Sequence, residues 1–232
     1  MKLTESEVVE LAAAEGFDPG TLEKVILLMN MLNMLAIHPF LKGKWILKGG
    51  TALNLFLLDL PRLSVDIDLN FVGSLDREEM LAQRPKIEQA MQAVFSREEM
   101  TVRRVPTDHA GGKWRLLYQS VSGRSGNLEV NMNFMFRLPL WEPKSIDSVQ
   151  LGQHIAKGIP TLNIHELTAG KLAALLARAQ VRDLFDCQQI FRHGNLDPEL
   201  LRIGFVVYGG MNRIDWRTVS TDDVGFNPED LT

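Results

Sequence analysis

The sequence has almost no cysteine. Its 232 residues include one, Cys187, and a single thiol closes no internal disulfide and builds no thiolate zinc site. It also lacks an unbroken apolar run of about 18 residues, the length a membrane-spanning helix needs. The longest candidate, Val25–Ile37, is interrupted by Asn30 and Asn33. A signal-peptide core is missing too, because Met1–Glu10 sets Lys2 among Glu5, Glu7 and Glu10. There is no strong charge of either sign. Lys and Arg number 25 and Asp and Glu 29, a formal net charge of −4, with a pI near 5.8. That balance excludes coating of nucleic acid through bulk charge and leaves a local basic groove open. Internal repeats and low-complexity stretches are absent as well. Together these absences predict a chain of the reducing cytoplasm with no membrane partner. What is present is ordinary: 45% hydrophobic and 23% charged residues, values that exclude a disordered chain. The length corresponds to one domain or two small ones.

Apolar spacing predicts the elements. Glu5–Ala14 reads as a short helix capped by Thr4 and stopped at Gly16. Thr21–Ile37 is a stronger one, with Val25, Leu28, Met31, Leu32 and Leu35 at three- and four-residue steps. Lys44–Lys48 is a short strand broken by Gly49-Gly50, and Thr51–Leu58 a short helix. Val65–Phe71 is the cleanest strand, alternating Val65, Ile67, Leu69 and Phe71 with Asp66, Asp68 and Asn70. Leu75–Phe95 reads as a helix with a break at Pro85. Thr101–Val105, Lys113–Val121 and Asn127–Arg137 read as strands. His165–Ala179 and Arg182–Arg192 read as helices, Asp197–Tyr208 as one more short helix or a mixed segment, and the last twenty residues as a poorly ordered tail. The layout is therefore α+β: a sheet-containing part over residues 1–139, then a helical part over 140–232 that completes a cleft.

The chemistry concentrates at Asp66-Ile67-Asp68. Residues two apart on a strand share a face, so both carboxylates project from one side, about 6–7 Å apart at the backbone. Such a pair repels unless a cation lies between, and Mg²⁺ (or Mn²⁺) with phosphate oxygens is the common resolution. Gly49-Gly50 lies upstream, between a strand and a helix, where bare backbone N–H groups approach phosphate closely. Glu129 is the candidate third metal acid, on a strand whose polar side continues with Asn131 and Asn133. Lys171, Arg178 and Arg182 share a face if one helix runs through them, a cationic stripe suited to a triphosphate or an RNA backbone. Arg182 and Asp186, four apart, fit a simple pair, which leaves Asp183 without a partner.

Lys48-Gly49-Gly50-Thr51-Ala52-Leu53, Arg62-x-Ser64-x-Asp66-x-Asp68-Leu69, Leu167-Thr168-Ala169-Gly170-Lys171-Leu172 and Arg182-Asp183-Leu184-Phe185-Asp186 resemble, in order, the four motifs of the AbiEii/AbiGii toxin family. The resemblance covers about Thr21 to Arg192. It implies a minimal nucleotidyltransferase fold with a polymerase-β-like core and a small mixed sheet. It also implies a toxin of a type IV toxin–antitoxin or abortive-infection system, related to the MenT toxins that add nucleotides to the tRNA acceptor end. By resemblance, Gly49, Gly50 and Thr51 contact nucleotide phosphates, and Asp66 and Asp68 hold the metal. Lys171 binds the triphosphate, Asp183 is the acid of the last motif, and Arg62 and Ser64 order their loop or touch phosphate. The substrate is then a nucleoside triphosphate, the acceptor an RNA, and the partner an antitoxin encoded nearby. Two positions depart from the family pattern. Asn54 stands where serine is usual, and Gly170 where proline or alanine precedes the lysine.

Two other readings share these residues: transfer of a nucleotide or phosphate to a protein hydroxyl, and a nucleotide- or partner-binding module without turnover. The remaining residues read as structural. The histidines show no ligand spacing, Cys187 is a small apolar core residue, and Met29, Met31 and Met34 are core. Arg103, Arg104, Lys113, Arg115 and Arg124 form a loose basic cluster around Trp114 and Tyr118, two rings that either stack bases or pack.

Overall fold

The alternating segment at residues 65–71 becomes the middle of the sheet. A computed structural model describes residues 3–105, 110–212 and 214–224. Its strands are β1 (Trp45–Lys48), β2 (Asp66–Phe71), β3 (Thr101–Arg104), β4 (Gly111–Gln119), β5 (Ser125–Asn133), β6 (Lys144–Ile146) and β7 (Ile159–Thr161). They form one mixed sheet in the order β3-β4-β5-β2-β1-β7-β6. β2 runs antiparallel to β1 and parallel to β5, with Lys48 opposite Asp68 and Asp66 opposite Glu129. The sheet continues past residue 139: Leu47 of β1 pairs with Thr161 of β7. The helical part begins only at Ile164.

One face of the sheet is the core. Ile67, Leu69 and Phe71 of β2 are fully buried there with Leu47, Trp114 and Val130. Helices α2 (Pro19–Ile37) and α4 (Arg77–Arg97) contribute much of this core, α1 (Glu5–Glu15) packs on α2, and the three start with side-chain caps, Asp18, Asp76 and Thr4 respectively. By length and composition α2 passes as a membrane span, its most apolar window having a mean hydropathy of 1.3. Asn30 and Asn33 do not interrupt it. Yet Leu22, Ile26, Leu28, Met29, Met31, Leu32 and Leu35 are fully buried in the core, and Asn33 bonds both the Ile155 carbonyl and the Lys157 N–H. Pro85 does not break α4 either. It removes one backbone donor, and Met80, Ile87, Met91, Val94 and Phe95 anchor the helix on both sides of it. Trp114 and Tyr118 pack in the core, Trp114 edge-on to Phe95 at 5.9 Å, so neither ring is a base platform.

The other face holds the polar residues. The chain leaves β1 into α3 (Gly49–Ala52), which widens into a π-helical turn over Leu53–Leu57. Helices α5 (Ile164–Arg178), α6 (Val181–His193) and α7 (Pro198–Gly210) pack together, and α5 also contacts α3. Part of the expected loose tail is packed. Trp216 meets Phe205 at 5.2 Å and donates its indole N–H to the Gly209 carbonyl (2.8 Å). Residues 213 and 225–232 of that tail, and His109, lie outside the described residues.

Candidate active site

Glycine shapes the turn after β1. Gly49 has φ +77°, a left-handed conformation that costs an L side chain about 1–2 kcal/mol. A Cβ there would lie 2.6 Å from Asp68 Oδ2, so the bare backbone lets the carboxylate sit directly against the turn. A Cβ at Gly50 would press on Ser64 Oγ at 3.0 Å and Arg62 Nη2 at 3.2 Å. Thr51 is buried and does not line the cavity. Its hydroxyl donates to the Asp66 carbonyl (2.5 Å) and lies 3.1 Å from Ser64 Oγ, which fastens the turn to β2. Gly49→Ala is therefore expected to lower stability by about 1–2 kcal/mol. By displacing Asp68 it should also lower turnover about a hundredfold; a melting curve and an initial-rate assay measure the two effects.

Asp66 and Asp68 leave β2 on the same side, as their spacing predicts. Among the described residues, no side chain hydrogen-bonds or ion-pairs with the Asp66 carboxylate. Burial, and then the negative charge of Asp68, push its carboxyl above the usual aspartate range. The Asp68 carboxylate accepts a hydrogen bond from Asn131 Nδ2 at 3.2 Å. Lys48, opposite it on β1, is held below the usual lysine range by burial, which the Asp68 charge partly offsets. Two acidic oxygen donors short of positive partners, beside a glycine turn that a Cβ would fill, fit a hard divalent cation. Glu129 lies beside Asp66 in register, but Lys113 (2.7 Å) and Arg115 (2.9 Å) occupy its oxygens. Hydrogen bonds from Lys113, then Arg115, hold its carboxyl below the usual range. No cluster of three or more metal-ligating side chains forms among the described residues.

The cations come from the helices, in an arrangement the helical period did not anticipate. α5 ends at Arg178, because Ala179 adopts φ +47°. Lys171, Arg178 and Arg182 therefore do not share one continuous helix. Lys171 bonds Asp183 (3.0 Å) and Asp186 (2.9 Å), and Arg178 clamps Asp183 at 2.7 and 3.1 Å. Asp186 does not pair with Arg182. It takes a two-pronged bond from Arg62 (2.7 and 2.6 Å) and a third contact from Asn54 Nδ2 (3.2 Å). Asn54 also bonds the Gly50 carbonyl (2.9 Å), so the residue that departs from the family serine ties the glycine turn to α6. Asp183 and Asp186 are both fully buried. Burial would raise both carboxyls; Arg178 with Lys171, and Arg62 with Lys171, override it and hold them below the usual range.

Those depressed values carry a pH signature. A carboxylate whose folded pKa is lowered adds stability above its unfolded value and loses it as the pH falls through the folded one. Stability should therefore drop from about pH 4 downward, since the ordinary aspartate value is 3.8. Melting temperatures from pH 7 to pH 3 measure this, and Asp186→Asn should flatten the acid limb relative to wild type.

These groups surround one cavity of about 590 Å³. Lys48, Gly49, Gly50, Arg62, Ser64, Asp66, Asp68, Lys171 and Arg182 all line it, with Lys113, Asn131, Arg178, Glu166 and Tyr208. Arg182 is exposed and has no ion-pair partner among the described residues. Three of the expected residues stand back from the wall: Thr51, Glu129 and Asp183; Asp186, read as a simple partner of Arg182, instead holds Arg62 and Lys171. Sequence reasoning missed Lys113, Glu166 and Tyr208 as cavity residues. The alternation of β4 signals Lys113, which lies opposite Asn131; no local pattern signals Tyr208, which α7 brings in from 37 residues beyond Lys171.

A family model described as "Nucleotidyl transferase AbiEii toxin, Type IV TA system" matches residues 31–223. The chain is similar to the solved structure of MenT4, a nucleotidyltransferase toxin from Mycobacterium tuberculosis H37Rv. The two share 21% identity and a TM-score of 0.69 over 99% of this chain and 80% of that one. At this identity the likeness concerns the fold. The antibiotic-resistance factor ANT(2'')-Ia, solved in solution, aligns at 12% identity over 81% of this chain and 91% of that one, with a TM-score of 0.48. No curated relative matches the chain.

Proposed function

This chain belongs to the AbiEii nucleotidyltransferase toxin family, and from that premise we propose that it transfers a nucleotide from a nucleoside triphosphate to an RNA 3′-end hydroxyl, with tRNA as acceptor. It does so in the cytoplasm, as the toxin of a toxin–antitoxin or phage-defence pair. The observation that carries this reading is the pair of under-neutralised carboxylates, Asp66 and Asp68, packed against a glycine turn in a cavity rimmed by Lys171, Arg178 and Arg182.

In the proposed mechanism the phosphates lie on the bare backbone of Gly49 and Gly50, within reach of Lys171 and Arg182. Asp66 and Asp68 would hold Mg²⁺ or Mn²⁺, which would supply positive charge to the phosphate oxygens as negative charge builds on them. The acceptor oxygen bonds to the α-phosphorus, the bond from that phosphorus to the bridging oxygen of the β-phosphate breaks, and pyrophosphate leaves. Positioning and charge do most of the work, since phosphoryl-type transfer needs little covalent help from the protein. Glu129 and Asp183 are poor acceptors for the hydroxyl proton, because each is neutralised by two cations. Asp66 is taken up by the cation in this reading, so the hydroxyl proton passes to water.

Labelled nucleoside triphosphates incubated with the protein and either total RNA or total protein test the reading. Label is expected in small RNA, at the 3′ end, and to require divalent cation. Label confined to protein would establish the rival acceptor, a protein hydroxyl, and no label in either would overturn the transfer reading.

A further inference from the structure

Helix α5 presents one stripe to the cavity: Glu166, Gly170, Lys171, Ala174 and Arg178. These positions recur about once per turn. The stripe is polarised. Its cationic end stands near the carboxylate pair, where Arg178 feels the charge of Asp68. Glu166 lies twelve residues earlier, about 18 Å along the helix axis. Between the ends stand Gly170 and Ala174, which are small, and Lys171, whose ammonium is held by Asp183 and Asp186. A nucleoside triphosphate has the same polarity, an anionic tail and a flat aromatic head.

At the Glu166 end, α7 delivers Tyr208 to the cavity wall. The Tyr208 hydroxyl donates to Glu166 Oε1 (3.1 Å), while Glu166 Oε2 accepts the Trp141 N–H (3.3 Å). Phe136 packs on the ring at 5.2 Å. Gly170 faces it from α5: a Cβ there would lie 3.3 Å from ring atoms Cδ1 and Cε1. The side chain usual at this family position would press on the ring, and glycine leaves a notch for it. Phenylalanine would fill the same space. What the tyrosine adds is a bond to a fully buried carboxylate, which fixes the ring where it meets the cavity.

Resting on the triphosphate reading above, we propose that Tyr208 is the seat of the nucleobase, with Glu166 and Gly170 as positioning residues. Bases stack on an aromatic face whatever their hydrogen-bonding edge, so this seat accepts purine and pyrimidine triphosphates alike and leaves the choice between them to other contacts.

Binding of ATP, CTP and inorganic tripolyphosphate, each with Mg²⁺, to wild type, Tyr208→Leu and Tyr208→Phe tests this. Tyr208→Leu should weaken both nucleotides about tenfold and leave tripolyphosphate unchanged. Tyr208→Phe, which keeps the ring and loses only the Glu166 bond, should weaken them about threefold, with KM rising more than kcat falls. Nucleotide binding unchanged in both variants, or tripolyphosphate weakened in step with nucleotide, overturns the proposal. If Tyr208→Leu fails to fold, judged by its melting curve, the Tyr208→Phe result decides: unchanged nucleotide binding there overturns it equally. Wild-type protein that binds neither nucleotide nor tripolyphosphate instead removes the triphosphate reading on which the proposal stands.

Discussion

Asp66→Ala/Asp68→Ala is expected to lose nucleotide transfer by at least about a thousandfold and to relieve any growth arrest caused by expressing the wild type. The melting temperature separates this from unfolding. The two carboxylates repel each other, and Asp66 has no ion-pair partner among the described residues, so their removal relieves a repulsion and gives up the Asn131–Asp68 hydrogen bond, worth about 1 kcal/mol, and the Asp68 charge beside Lys48. The double variant should melt close to the wild-type temperature at neutral pH. Millimolar Mg²⁺ should raise the melting temperature of the wild type, because binding to the folded state stabilises it, and leave the variant unmoved. A variant that melts early and loses activity would point to a structural role for the pair. Full activity in the variant would sink the mechanism.

Asp186→Leu is expected to do the opposite: a large loss of stability with activity falling as a consequence. Asp186 is fully buried and holds two cations, Arg62 and Lys171, whose side chains are 24% and 9% exposed. Removing one member of a buried ion network strands its partners, which costs about 3–5 kcal/mol. For a chain of this length that corresponds to roughly 10 °C in melting temperature. The neighbouring Asp183→Leu should cost less, because the side chain of Arg178 is half exposed and water screens the loss. Asp186→Asn, which keeps the shape and one acceptor oxygen, should fall between. The ranking Asp186→Leu, Asp183→Leu, Asp66→Ala/Asp68→Ala, from most to least destabilised, distinguishes acids that hold the helices to the sheet from acids that await a cation.

That division was only half legible from residue types. The Asp-x-Asp pair was legible, because a strand's two-residue period places both carboxylates on one face whatever surrounds them. Gly49-Gly50 was legible as a close-approach turn for a similarly local reason. Glu129 had the same local signature as Asp66, an acid on the polar side of a strand. Its role depends on β4, which brings Lys113 and Arg115 beside it. Asp183 had no partner within α6. Its partners come from α5, across the break at Ala179 that the helical period did not anticipate. Pro85 and Asn33 misled in the same way, since burial on flanking turns outweighs one lost hydrogen bond or one polar side chain.

By itself, the sequence determined the local chemistry of this protein: the carboxylate pair, the bare turn beside it, and the α+β alternation that sets them on a sheet. These follow from steps of two to four residues, and short-range geometry is written in the order of the chain. Only the tertiary structure decided how each charge is spent. Ion pairs here join Arg62 to Asp186 and Lys171 to Asp183. A charge's partner is set by which elements pack together, a long-range outcome that spacing does not encode. The same packing left Asp66 without an ion-pair partner among the described residues and set Tyr208 against Gly170, at the two ends of the site proposed for the ligand.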